Sequence, residues 1–357
     1  NRVKKREKDL LLNILVIRLS AFGDVAMTLP ALYSAAKAYP IHTFYMLTSE
    51  SFEGLFTSQL PNIEVVGVDL KLYKGVTGLL RLASKIQREY KIDAVADLHS
   101  VLRSQVVRSY FFLRGKKVKS IYKDRAKKKA ITKYKIPLTQ LKHSIDRYRD
   151  VFMELGLASE MSFVSYFENK TRNISQLSSL PFDASKTNIG IAPFAMYAEK
   201  MYPIDKMEEV LKEIAAKSNR HIYLFGGGKK EKEKLEEWEA KYPNVTSVIG
   251  KLTLENELLL MSYLSVLVSM DSANMHLASL VNTSVVSVWG ATHPFLGFYG
   301  YNQPPSNVVQ LEDLDCRPCS VFGNVPCWRG DHACMNRIDP KTAVEKIEVV
   351  IEANAQQ

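Results

Sequence analysis

The sequence predicts an α/β protein built from two parallel-sheet domains. Short, β-branched apolar runs alternate with amphipathic stretches of helical period. That alternation occurs twice, and a polar, aperiodic stretch separates the two halves. Strands that alternate with helices call for crossover connections, and crossover connections make parallel sheets.

In chain order, the first half offers strands at Ile14 to Arg18, Thr43 to Thr48, Ile63 to Val68, Ala94 to Leu98 and Val118 to Tyr122. Helical patterns lie between several of them. ALYSAAKAY follows the first strand, and in Gly78 to Tyr90 the residues Leu79, Leu82, Ala83 and Ile86 share one face. The second half repeats the plan with Ile189 to Ala192, His221 to Phe225, Val245 to Ile249, Val266 to Met270 and Ser284 to Trp289. Asn169 to Asn188 is polar, carries turn formers and lacks periodicity, which marks the linker. After Pro340, the residues Ala343, Ile347, Val350 and Ile351 recur at helical spacing and predict a packed terminal helix. The expected domains are 1–175, 176–339 and a terminal helix over 340–357.

With 357 residues, 46% of them hydrophobic, the chain suits two α/β cores and excludes a fibre or a disordered tail. The net charge of +10 is unevenly placed. Residues 1 to 150 hold 29 Lys and Arg against 13 Asp and Glu, whereas the remainder holds 19 against 25. A basic first half predicts an anionic partner (nucleic acid, phospholipid headgroups or a phosphorylated substrate), against the plainer reading of a solvated basic surface. No apolar stretch of about 20 residues exists, so no membrane span is expected. NRVKKREKD followed by LLLNILVI imitates a signal peptide, but Arg18 interrupts the apolar run and no small-residue cleavage pattern precedes Gly23. A basic leader before the first strand is expected. The sequons at Asn169, Asn173, Asn244 and Asn282 then carry no meaning.

Two loops read as binding loops. After the first strand, SAFGDV (Ser20 to Val25) breaks the apolar run, Gly23 permits a tight turn and Asp24 sits at a helix start. After Val266 to Met270, Asp271, Ser272 and His276 fall at a strand-to-helix turn, with HLASLV (His276 to Val281) as a short helix. In an open α/β sheet such turns lie at the carboxyl ends of the strands, where ligands bind. Each residue also has a plain reading. Asp24 could cap its helix or interact with the helix's N-terminal dipole, and a lone His276 on an apolar helix could satisfy a backbone carbonyl. FGGGKKEKEK (Phe225 to Lys234) is a glycine turn after a strand, and three glycines alone do not separate a nucleotide loop from an ordinary one.

The runs RLSAFGDVAMTLPAL (Arg18 to Leu32), IAPFAMYAEKMYP (Ile191 to Pro203) and MDSANMHLASL (Met270 to Leu280) together resemble glycosyltransferase family 9, the ADP-heptose:lipopolysaccharide heptosyltransferases. ADLHSVLRS (Ala96 to Ser104) and HSIDRYRDVFMELG (His143 to Gly156) extend the resemblance over most of the chain. It implies the GT-B fold, with two facing Rossmann-like domains and an interdomain cleft, the first acceptor-side and the second nucleotide-sugar-binding. It also implies transfer of a sugar with inversion, with no cofactor and no catalytic metal.

An inverting transfer needs a base for the acceptor hydroxyl and a counter-charge for the departing diphosphate. The resemblance places Asp24 of the S-x-x-G-D motif as the base, with Ser20 and Gly23 on the acceptor side. It places Lys200, before Tyr202-Pro203, beside the leaving group. On the donor side it implies Ala195, Met196, Glu231, Leu252, Asp271, Ser272, Ala273 and His276. Ala195 and Met196 stand where the family often has small hydroxyl or glycine residues, and Ala273 replaces the usual Gly. Arg103, His143 and Arg147 align with residues that face an anionic, lipid-linked saccharide acceptor. KDRAKKKAITKYK (Lys123 to Lys135) would hold the enzyme at an anionic membrane surface, unless it is a solvated loop. The expected location is cytoplasmic, peripheral to the inner membrane.

Cys316, Cys319, Cys327 and Cys334 are spaced C-x2-C-x7-C-x6-C. The first pair suits zinc and the second pair is too widely spaced for the common finger patterns, so metal binding, reduced thiols and disulfides stay open, with no metal expected. The expected activity is transfer of a heptose from ADP-heptose to a lipopolysaccharide core. The alternatives are the same reaction with another nucleotide sugar, or a non-catalytic binder of nucleotide sugar or nucleic acid. No basic patch interleaved with aromatics and no helix-turn-helix supports nucleic-acid binding.

Overall fold

A computed structural model describes residues 11–57 and 59–356. The basic leader expected over residues 1–9 lies outside the described residues. The chain forms two compact units. One contains 1–123 and 144–170, the other 124–143 and 171–357.

In the first unit, β1 (Asn13–Ile17) leads into a short helix α1 (Phe22–Ala26) and then α2 (Thr28–Ala38). β2 (Thr43–Ser49), β3 (Ile63–Val68), α3 (Gly75–Tyr90), β4 (Ala94–Asp97), α4 (Leu102–Phe112) and β5 (Lys117–Ser120) follow. The chain then contributes α5 (Arg125–Tyr134) to the second unit and returns with α6 (Ser144–Leu155), which packs on α2 and the β4–β5 edge. The five strands are parallel in the order β3-β2-β1-β4-β5. Central β1 is buried on both faces, which is why NILVI reads as a continuous apolar run. α3 buries Leu79, Leu82, Ala83 and Ile86 against that sheet, as their spacing predicts, and Lys91 ends it in the left-handed conformation.

The second unit carries β6 (Thr187–Ala192), α7 (Ile204–Ala215), β7 (Arg220–Leu224), α8 (Lys229–Lys241), β8 (Val245–Ser247), α9 (Leu254–Met261), β9 (Val266–Met270), α10 (Ala273–Leu280), β10 (Val285–Val288), β11 (Val308–Val309), α11 (Ala333–Asn336) and α12 (Pro340–Ala355). Its strands are parallel in the order β11-β10-β9-β6-β7-β8. Gly228 precedes α8 at φ +88°, a backbone conformation that a side chain would strain. α12 starts at Pro340 behind Asp339, whose carboxylate accepts the Lys341 N–H.

Several boundaries differ from the sequence reading. The helix after β1 is two helices, interrupted at Met27. α10 begins three residues before His276, because Ser272 already takes the extended N-cap conformation. The run at Lys123 to Lys135 forms helix α5, buried on Lys128, Ile131 and Thr132. Ile131 packs with Leu141 and Leu296, and the Lys128 ammonium lies 3.9 Å from the Phe298 ring centroid. Residues 124–143 therefore belong with the second unit, where local periodicity had no means of placing them. The chain passes between units at 170/171, inside the expected linker. The terminal helix is part of the second core. Its Ala343, Val344, Ile347 and Val350 pack with α7 and the strands, and Glu348 accepts two hydrogen bonds from buried Arg220 at the start of β7.

Ile347 is fully buried, whereas Val349, on the same helix, is 59% exposed. Ile347→Ala is expected to lower unfolding free energy by about 2–5 kcal/mol. Val349→Ala should stay within about 0.5 kcal/mol of wild type, both read by urea denaturation.

Candidate active site

In each sheet, sequential strands run outward in one direction and then in the other, and the reversal falls between two neighbouring strands. In the first unit these are β1 and β4, and in the second β6 and β9. Loops leaving such a pair diverge and open a crevice at the carboxyl ends of the strands. Asp24 of the first unit and Lys200 and Asp271 of the second lie at these points, whereas Arg147 is on α6 and Glu231 and Leu252 follow β7 and β8.

In the first unit, Arg18 ends β1 and Asp24 sits in the first turn of α1. Their side chains form an ion pair. Arg18 is buried, donates from Nη1 to the Leu98 carbonyl at 2.8 Å and lies 5.9 Å from the Tyr148 ring centroid. Burial works against its charge, but Asp24, Tyr148 and Asp97 outweigh that and hold its pKa above the ordinary value. The Asp24 side chain keeps 28% exposure. The N-cap of α1 is Ala21, with no side-chain cap, and Asp24 stands in the first turn, where its charge also favours the helix N-terminus.

The β4–α4 turn is shaped by buried Asp97. Its Oδ1 accepts the N–H groups of His99 and Ser100 at 3.0 and 2.9 Å, and its Oδ2 accepts from Ser104 and Arg108. This turn presents His99 to the β1 loop, where the Leu19 N–H points at Nδ1 at 3.4 Å. Burial, together with Arg18 and Lys123, pushes the His99 pKa down to about 3. Arg103 is exposed on α4, and Arg147 is buried on α6, donating to the Tyr122 carbonyl at 3.2 Å. Ser20 is exposed and Gly23 half-buried in the Asp24 turn.

His143 is the last residue of the segment that the chain lends to the second unit, directly before α6. It belongs to the second unit, where Nε2 lies 2.6 Å from the Tyr299 carbonyl oxygen.

In the second unit, the β6 loop carries Lys200 and the β9 loop carries Asp271. Their charges meet with Nζ 2.9 Å from Oδ2, at side-chain exposures of 14% and 9%. Thr292, from the loop after β10, donates to the same Oδ2 at 2.8 Å. Ser272 is the N-cap of α10, but its hydroxyl pairs with Ser269 at 3.1 Å and does not cap the helix. The first N–H groups of α10 therefore keep their capacity for an anion. Ala273 opens that helix and His276 is buried within it. Ala195 is half-buried and Met196 is 78% exposed, so neither adds a polar donor to the β6 loop. Glu231 turns back on its own loop, accepting the Gly227 N–H at 2.6 Å, and Leu252 is half-buried in the turn before α9.

Sequence reasoning passed over Arg18, His99, Tyr148 and Thr292 as individuals. Arg18 stood inside a quoted motif, and a buried arginine at the end of an apolar strand was its available signal. Thr292 had none, since its partner lies 21 positions away.

The four cysteines are unpaired thiols. Cys319 donates to the Cys316 carbonyl, and burial with the nearby Cys316 pushes its pKa up to about 11. Among the described residues, no group of three or more His, Cys, Asp or Glu is arranged to hold a metal ion.

The protein is 24% identical to lipopolysaccharide heptosyltransferase 1 of Escherichia coli K12 over 317 residues, covering 84% of this chain and 96% of that one. Its structure is similar to a glycosyl transferase family 9 protein of Veillonella parvula (TM-score 0.72, 19% identity, covering 97% and 99% of the two chains). It is also similar to an E. coli heptosyltransferase solved with ADP-2-deoxy-2-fluoro heptose (TM-score 0.64, 22% identity, 96% and 100% coverage). The model of glycosyltransferase family 9 (heptosyltransferase) matches residues 79–325. The match takes in most of the chain but leaves out Arg18 and the Asp24 turn, and the protein belongs to glycosyltransferase family 9.

Proposed function

We propose that this protein transfers a heptose from ADP-heptose, with inversion, to a hydroxyl of an anionic lipopolysaccharide core acceptor. The observation that carries the reading is the pairing of a half-exposed carboxylate, Asp24, with a buried guanidinium at the switch point of the first sheet. Asp24 takes the acceptor proton, and the oxygen attacks the anomeric carbon from the face opposite the diphosphate. The sugar–oxygen bond to the diphosphate breaks, and ADP leaves with that electron pair. Lys200 and the first N–H groups of α10 offset the charge that develops on the departing diphosphate. These residues supply the polar steps themselves, and the reading assigns no metal. Support for the donor comes from the relative solved with a fluorinated ADP-heptose, and support for the acceptor from the lipopolysaccharide heptosyltransferase it resembles.

Arg103 and Arg147 suit an acceptor that carries carboxylates or phosphates. Among the described residues no helix is long and apolar enough to cross a membrane. Access to a lipid-linked acceptor then falls to surface charge. α5 offers exposed Lys127, Lys129 and Lys133, beside exposed Tyr134 and Ile136, to the anionic cytoplasmic face of the inner membrane. Ala195, Met196 and Ala273 remove side-chain donors from the diphosphate region, which makes another nucleotide sugar the competing reading of the donor.

Asp24→Asn keeps the shape and removes the base. Transfer is expected to fall by about two to four orders of magnitude while ADP-heptose still binds, and near-normal turnover would sink the assignment. Donor identity is read by thermal stabilisation against ADP-, GDP-, UDP- and dTDP-sugars, with selective response to ADP-heptose expected. Stabilisation by a different sugar would keep the reaction and replace the donor.

His99 has an acid-side signature. An unfolded histidine titrates near about 6.5, and the folded imidazole at about 3. Above the upper value neither state is charged. Below it the unfolded chain takes up a proton that the native chain refuses, so stability declines through that window. His99→Gln is expected to flatten the decline between pH 7 and pH 5 in urea denaturation. A curve identical to wild type would remove His99 as its source.

A further inference from the structure

The segment that follows β10, from Gly290 through the cysteine-containing loop to Gly323, touches the donor half-site at two places and belongs to neither the β6 nor the β9 loop. Its first contact is Thr292, whose hydroxyl shares Asp271 Oδ2 with Lys200. Two donors occupy one carboxylate oxygen, and Asp271 Oδ1 has no hydrogen-bond partner among the described residues. The carboxylate is thereby fixed in rotation with one oxygen left to accept.

The Thr292 turn is itself held. Arg317 donates to the carbonyls of Gly290 at 2.6 Å and Thr292 at 3.1 Å, to Gln310 Oε1 at 2.9 Å and to the Leu311 carbonyl. Cys319 donates its backbone N–H to the Ala291 carbonyl at 2.9 Å, and the Ala291 N–H reaches the carbonyl of Glu199, the residue before Lys200. A guanidinium whose fork reaches four acceptors on two chain segments tolerates little displacement of either.

The second contact is Gly323, at φ +75°. A Cβ there would come within 2.4 Å of Lys200 Cγ and Cδ, so the lysine stem runs directly across this glycine. Ser320 forms the turn that presents it, accepting the N–H groups of Phe322 and Gly323 at 3.2 and 3.0 Å.

We propose that Thr292, Arg317 and Gly323 are positioning residues of the donor half-site: Thr292, held by Arg317, orients Asp271 so that Oδ1 accepts a hydroxyl of the donor sugar, and Gly323 sets the path of Lys200 to the diphosphate. The inference rests on the function proposed above, and it divides recognition of the donor. Thr292 governs the sugar through Asp271, whereas Gly323 governs the leaving group through Lys200.

The test compares ADP, which lacks the sugar, with ADP-heptose in titration calorimetry, together with turnover. Thr292→Val is expected to weaken ADP-heptose about tenfold and to leave ADP within about twofold of wild type. Thr292→Ser, which keeps the hydroxyl, should restore most of the loss. Gly323→Ala is expected to lower kcat by about tenfold or more with little change in KM, as the loss of an interaction made in the transition state does. Equal weakening of ADP and ADP-heptose by Thr292→Val, or no weakening of either, would overturn the inference. If Gly323→Ala fails to fold, the Thr292 pair still decides. A wild-type chain that binds ADP-heptose no better than ADP shows no sugar contact and overturns it as well, while a wild-type chain that binds neither overturns the heptosyl reading on which it stands.

Discussion

Every functional feature described above depends on parallel pairing of strands at the centre of each sheet. A parallel neighbour cannot be reached by a tight turn, so the chain must cross over and return, and every strand then points its carboxyl end the same way. In the first unit this puts the loops after β1 and β4 side by side, and in the second the loops after β6 and β9. Arg18, Asp24 and His99 meet for that reason, and so do Lys200 and Asp271. Lys200 and Asp271 are 71 positions apart and Leu19 and His99 80, yet the parallel ladder brings them to 2.9 and 3.4 Å.

Charge at these points has to be compensated locally. A guanidinium as buried as Arg18 would be costly without partners, and the cost is offset by the Leu98 carbonyl, the Asp24 carboxylate and the Tyr148 ring. The same arrangement makes the half-exposed Asp24 the outward end of a buried charge pair. His99 shows the opposite solution. Flanked by burial and two cations, it relinquishes its charge and remains in the crevice as a neutral hydrogen-bonding group. A neutral imidazole beside Arg18 adds no second cation to compete for its ion pair with Asp24.

The strands were legible in the sequence because central parallel strands are buried on both faces and have to be apolar throughout. Val266 to Met270, buried throughout, matches residue for residue, and so does the edge strand Ile63 to Val68 on its β-branched residues, although Glu64 is exposed; the others shift by a residue or two at their ends. The short edge strand β11, Val308–Val309, was not legible, since two valines at a sheet edge carry no periodicity. Nor was the exchange of residues 124–143, where α5 packs through Ile131 on Leu141 and Leu296. An amphipathic helix announces that it will bury one face and says nothing about which core receives it, and the same holds for His143 at the end of that exchanged segment. The residues that support the site were less legible still. Thr292 acts through one hydrogen bond to a carboxylate 21 positions away, and Arg317 through a fork whose bonds to the Thr292 turn span 25 and 27 positions; neither residue type is unusual where it stands.

The same distinction bears on the departures at Ala195, Met196 and Ala273. A diphosphate needs donors and positive charge near it, and the source of either is interchangeable so long as the geometry is held. Here Ser272 directs its hydroxyl to Ser269 and leaves the first N–H groups of α10 open, while Lys200 lies against Asp271 instead of reaching into solvent. In the proposed reading, backbone groups and one lysine serve the diphosphate in place of side-chain donors in the β6 loop, and both depend on precise support. A site that relies on fewer and more rigidly held groups has more to lose when its supports move. That places the selective burden on the loop after β10, and it accounts for why a glycine, an arginine with four acceptors and a threonine converge there on one carboxylate and one lysine stem.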